Sequence, residues 1–174
     1  MSTATLTDTP RPAPGRVVIV DDNPDDIFIL QRQLRRLGVS CPITAFQDGH
    51  DAMEFLRKTA ETQGRAALPE LLFLDIHMPG TTGFSVLCWL REHEATHAIK
   101  IVILSGTSDP GDVALATALS ANAYLTKHSA LSGLANVVNR FIPHLLPAPA
   151  PVDSANPFTN LHVVPADERL LNAS

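Results

Sequence analysis

The chain has 174 residues, 45% hydrophobic and 18% charged, enough apolar material for a buried core in one domain of ordinary size. Its 13 basic and 18 acidic residues give a net charge of −5, which argues against a nucleic-acid module with a basic face. The longest apolar runs, such as Leu71–Leu74, cannot span a bilayer, and Met1–Pro14 lacks the hydrophobic stretch of a secretory signal, so the expected location is cytoplasmic.

Eight of the 14 prolines lie outside residues 16–146. The expected organisation is therefore a flexible N-terminal segment (1–15), a globular body (16–146) and a proline-rich C-terminal extension (147–174). Cys41 and Cys88 form no metal-ligand spacing and read as reduced thiols.

The body alternates two kinds of segment. Val17–Val20 is a continuous apolar run, the pattern of a strand buried on both faces. Asn23-Pro24 then opens a helix whose Ile27, Leu30, Leu34 and Leu37 form one stripe, and Gly38 closes it. Ile43–Phe46 is the second strand, and Asp51–Lys58 the second helix. Leu71–Leu74, Ile101–Leu104 and Ala123–Leu125 are the remaining strands. Phe84–Arg91 and Asp109–Leu119 are the intervening helices, and Leu131, Leu134, Val138, Phe141 and Leu145 mark a fifth. Five strand–helix repeats predict an α/β fold with a parallel sheet covered on both faces.

Sites in such sheets form beyond the carboxyl ends of the strands. Asp21 and Asp22 follow the first strand, Asp75 the third, Ser105 the fourth and Lys127 the fifth. Nothing comparable follows the second. Crowded carboxylates oppose one another's ionisation, and a hard divalent cation relieves that conflict. Asp21, Asp22 and Asp75 suit Mg²⁺ (or Mn²⁺) with room for a phosphoryl group. Asp25 and Asp26 read as ordinary acids in a first helical turn.

These residues resemble the receiver domain of two-component response regulators. The resemblance is carried by Val-Asp-Asp-Asn at 20–23, Leu-Asp-Ile-His-Met-Pro-Gly at 74–80 with Gly83, Leu-Ser-Gly at 104–106, and Tyr-Leu-Thr-Lys at 124–127. It implies a flavodoxin-like (βα)5 fold with strand order 2-1-3-4-5. It implies that Asp75 accepts a phosphoryl group from a sensor histidine kinase. Asp21, Asp22, Asp75 and the backbone carbonyl of His77 would hold Mg²⁺ or Mn²⁺. Lys127 and Ser105 would contact the phosphoryl oxygens, and Tyr124 would be the aromatic switch. On this reading the chain catalyses only its own phosphorylation and dephosphorylation.

Two positions depart from the family pattern. His128 stands where proline usually follows the lysine, which bears on whether the Lys127–His128 bond is cis. His77 occupies a position that, with Thr107 opposite, tunes the lifetime of the acyl phosphate, so His77 is expected to alter it. His93 and His97 could pair on zinc, but they lack a third ligand and read as a solvated helix end.

The residues after Leu146 are too few for an output domain, which implies a single-domain regulator. Asn-Pro-Asp-Asp-Ile-Phe at 23–28 and the Tyr-Leu-Thr-Lys-His loop make it most similar to regulators of (bacterio)phytochrome histidine kinases. The extension carries Phe158, Leu161, Val163 and Val164, which a mere spacer would not need. It is expected to dock on its own body or on a second subunit. A homodimer through this arm, or through the face of the fourth helix, fifth strand and fifth helix, is the expected assembly, with neither nucleic acid nor membrane as partner. The alternative is a module that keeps the receiver shape and works by docking alone. A hydrolase with an Asp nucleophile fits less well, because Asp75-Ile-His lacks a second acid two residues on.

Overall fold

A computed structural model describes residues 17–127 and 130–146. The chain runs β1 (Val17–Val20), α1 (Pro24–Arg36), β2 (Ile43–Phe46), α2 (Gly49–Gln63), β3 (Leu71–Asp75), α3 (Gly83–Glu92), β4 (Lys100–Ser105), α4 (Pro110–Ala118), β5 (Ala123–Thr126) and α5 (Ala130–Phe141). All five strands are parallel, in the order β2-β1-β3-β4-β5. This is the expected flavodoxin-like arrangement.

The two faces of the sheet are built from alternate residues of the same strands. Val18, Val20, Leu72, Leu74, Ile101 and Ile103 pack against α2, α3 and α4 through Leu56, Val86, Leu87, Leu90 and Ala116. Val17, Ile19, Leu71, Phe73, Val102 and Leu104 pack against α1 and α5 through Ile27, Leu30, Leu34, Leu134 and Val138. β1 and β3 are therefore buried along their whole length, which is why they read as unbroken apolar runs. Each buried leucine or isoleucine contributes about 1.5–3 kcal/mol. Their rigidity fixes what stands at the strand ends.

Helix ends follow local chemistry. Asn23 caps α1 by accepting from the Asp25 N–H at 3.0 Å. α2 is longer than the expected Asp51–Lys58. Asp48 caps it early by accepting from the His50 N–H at 2.6 Å, and it continues to Gly64, whose φ is +79°. α5 is shorter than its apolar stripe suggested. Pro143 ends it, and Leu145 falls in a short 3₁₀ turn, Pro143–Leu145. Cys41 and Cys88 are both free thiols; Cys41 is buried, which pushes its pKa up. His93 caps the end of α3 and stacks on Trp89 with ring centroids 4.4 Å apart. Among the described residues no helix is long and apolar enough to cross a membrane. Residues 1–15, His128 and the 147–174 extension lie outside the described residues, and with them the expectations made for those segments.

Candidate functional site

The strand order reverses between β1 and β3, and the polar strand ends converge there. Asp75 is the last residue of β3 and is 4% exposed. Its Oδ1 accepts the His77 N–H at 3.1 Å, and its Oδ2 accepts from the Lys127 ammonium at 2.9 Å. Asp21, just past β1, is 2% exposed, and its Oδ1 accepts the Asn23 N–H at 3.0 Å. Gly83 comes so close behind the acceptor strand that a Cβ there would stand 2.1 Å from the Asp75 carbonyl oxygen. Only glycine allows α3 to start at that distance.

Lys127 reaches across the sheet end. Its Nζ lies 2.8 Å from Asp21 Oδ2, 2.8 Å from Asp26 Oδ2 and 2.9 Å from Asp75 Oδ2. Its own backbone N–H donates to the Ser105 carbonyl at 2.7 Å, which ties the β5 end to β4. Burial opposes the charge on Lys127, but hydrogen bonds to Asp21, Asp26 and Asp75 outweigh it and hold the ammonium above the ordinary lysine range. Burial pushes the Asp21 carboxyl up despite the hydrogen bond from Lys127.

One ammonium thus faces three carboxylates, and negative charge remains in excess. Oxygen atoms of Asp21, Asp22 and Asp75 also lie within 4.8 Å of one another. The donor set is all hard oxygen, close to the span of an octahedral shell with bonds of ~2.1 Å. These residues fit a Mg²⁺ or Mn²⁺ ion.

Ser105, fully buried at the end of β4, accepts the Thr107 N–H at 3.2 Å and lies 3.4 Å from His77 Nδ1. The exposed His77 ring also lies 3.5 Å from Asp112 of α4. The Tyr124 hydroxyl donates to the Thr107 carbonyl at 3.0 Å.

The structure brings Asp21, Asp22, Asp75 and Lys127 together, with Ser105, His77, Thr107 and Tyr124 beside them. Asp26 is the correction. Besides standing in the first turn of α1, it is one of the three Lys127 partners. It reaches Lys127 from that turn, and no local pattern marks the contact. Asp112 carried no local signal.

The sequence matches the response regulator receiver domain over residues 17–139. The chain belongs to that family. It is a receiver domain of two-component signalling, and receiver domains are phosphoryl-accepting switches that interact with sensor histidine kinases and bind Mg²⁺ or Mn²⁺ at an acidic pocket. Among curated proteins it is 29% identical over 125 residues to the probable methanogenesis regulatory protein FilR2 of Methanothrix harundinacea, covering 72% of this chain and 79% of that one. It is 28% identical over 125 residues to response regulator Rcp1 of Synechocystis sp., covering 72% and 84%. The crystal structure of Mn²⁺-bound Rcp1 superposes with a TM-score of 0.64 at 26% identity, covering 79% of this receiver and all (100%) of that chain. The phosphorylated cyanobacterial phytochrome response regulator RcpA gives 0.64 at 28% identity, with the same coverage, 79% and 100%.

Proposed function

We propose that this receiver is a phosphorylatable response regulator in which Asp75 takes a phosphoryl group from the phosphohistidine of a sensor kinase. The carrying observation is the buried Asp75 carboxylate, 2.9 Å from the Lys127 ammonium and grouped with Asp21 and Asp22. In the transfer, an Asp75 carboxylate oxygen forms the new P–O bond, the P–N bond breaks, and the imidazole leaves and takes up a proton.

Such a transfer needs positioning and charge neutralisation more than further covalent help. A Mg²⁺ or Mn²⁺ ion held by Asp21, Asp22, Asp75 and the His77 backbone carbonyl would supply positive charge to the phosphoryl oxygens. Lys127 already donates to Asp75 and follows the new oxygens with a short side-chain rotation. The Ser105 hydroxyl donates to one of them. That motion draws the β4–α4 loop inward and changes the seat of Tyr124, so the new charge biases the α4–β5–α5 surface. His77 and Thr107 flank the approach of water and set how long the acyl phosphate lasts.

Similarity to Rcp1 and RcpA supports a phytochrome histidine kinase as the donor. A homodimer, through the 147–174 extension or the α4–β5–α5 surface, is the assembly proposed for the signalling form.

The test is incubation with Mg²⁺ and acetyl phosphate or beryllofluoride, read by intact mass and by amide spectra. Wild type is expected to form a one-to-one adduct, and Asp75→Asn none. No adduct in wild type would leave a receiver that works by docking alone.

A further inference from the structure

Ser105 is engaged on two sides. Its oxygen accepts from the Thr107 N–H at 3.2 Å, and it lies 3.4 Å from Nδ1 of His77. The opposite ring nitrogen, Nε2, lies 3.5 Å from Oδ2 of Asp112 in the first turn of α4. One neutral tautomer serves both contacts. With the ring proton on Nε2, the Ser105 hydroxyl donates to Nδ1 at 3.4 Å and the ring N–H stands 3.5 Å from the Asp112 carboxylate. That tautomer is assigned from its partners. Tyr124 joins the same chain through the Thr107 carbonyl at 3.0 Å. A polar strap thus runs Tyr124–Thr107–Ser105–His77–Asp112. It links β5, the loop after β4, the loop after β3 and α4.

We propose that His77 and Asp112 form a latch that holds Ser105 and α4 in the unphosphorylated arrangement. The proposal rests on the phosphoswitch reading above. Its core is a competition for one proton: the Ser105 hydroxyl cannot donate to His77 Nδ1 and to a phosphoryl oxygen at once. When Ser105 turns to the phosphoryl group, His77 loses its inner partner. The link from the β3–α3 loop to α4 then loosens, and α4 moves more freely. Asp112 is not needed as a cap, since Asp109 already accepts from the N–H groups of Gly111 and Asp112 at 2.8 and 3.2 Å. Half-buried, with 24% of its side chain exposed, its carboxylate is available to the ring of His77. Both ring contacts lie at the outer limit of hydrogen-bond length. The latch is therefore weak enough for a phosphoryl group to open.

Beryllofluoride titration in Mg²⁺, followed by the Gly106 and Thr107 amide signals, tests it on the full chain. Asp112→Ala is expected to lower the concentration for half-conversion about threefold. Asp112→Asn keeps an acceptor and is expected to stay near wild type. A His77→Ala, Asp112→Ala double variant is expected to gain no more than the larger single change, because the two act through one contact. Without beryllofluoride, the Thr107 amide of Asp112→Ala is expected to shift part-way toward its adduct position. An unchanged or raised midpoint in Asp112→Ala, or gains that add in the double variant, would overturn the latch alone. A wild type that takes up no beryllofluoride would overturn the phosphoswitch reading and the latch with it.

Discussion

Two groups of ion pairs in this molecule have nearly the same bond lengths and opposite consequences. On α2, Arg57 and Lys58 meet Glu54 at 2.9 and 3.1 Å, and Arg57 meets Glu61 at 2.7 Å. At the sheet end, Lys127 meets Asp21, Asp26 and Asp75 at 2.8–2.9 Å. The Glu54 carboxyl is held below the usual range by hydrogen bonds from Lys58 and Arg57. The Asp21 carboxyl is pushed above it by burial, although a cation sits as close. The difference is solvent. Side-chain exposure is 38–56% for Glu54, Arg57 and Glu61, but 3% and 5% for Asp21 and Asp75. Water screens the first group and makes each pair worth little. The second group carries unrelieved charge in a drier place, the setting that the proposed binding of a divalent cation and a phosphoryl group would draw on.

The sharpest way to break this contrast is Lys127→Ala. It leaves buried carboxylates without their ammonium, and urea unfolding without divalent cation is expected to show a loss of about 3 kcal/mol. Added Mg²⁺ is expected to raise the variant's midpoint more than that of wild type, because only the ion then offsets the carboxylates. Equal stability of variant and wild type would put the buried cluster in the same class as the surface one. Gly83→Ala tests whether backbone, rather than charge, seats Asp75. Its Cβ would stand 2.1 Å from the Asp75 carbonyl oxygen and 2.7 Å from Ile76 Cα. Thermal unfolding is expected to record a cost of about 1–3 kcal/mol, and adduct formation to slow. A variant that unfolds and reacts like wild type would show that α3 can shift freely. Glu54→Ala is expected to have the smallest effect, an unfolding midpoint indistinguishable from wild type. A measurable drop would show that the α2 network holds the helix.

The sequence made Asp21, Asp22, Asp75, Ser105 and Lys127 legible because each follows an apolar strand. In a parallel α/β sheet, the carboxyl ends of strands are where residues far apart in the chain converge. The Lys127 contact of Asp26 is not legible in the sequence, for a physical reason. An acid in a first helical turn is already accounted for by the helix dipole, and only the reach of Lys127 distinguishes it. The last third of α2, Thr59–Gln63, is also unmarked in the sequence, because it carries no large apolar residue to extend the stripe past Leu56, although Thr59 is buried. The ring contacts of His77 with Ser105 and Asp112 depend on how the loop after β3 lies against α4. No periodicity reports that.

By itself the sequence determined the alternation of strand and helix, the burial of the central strands and the acidic strand ends. Each is a matter of local pattern, since a residue's neighbours along the chain set its period and its face. The tertiary structure alone decided which charges meet. Asp26 and Lys127 are 101 residues apart, and they touch because the sheet order sets β1 and β3 side by side and β5 beyond β4. The desolvation of Asp21 and Lys127, and so their chemistry, follows from that packing and from nothing local.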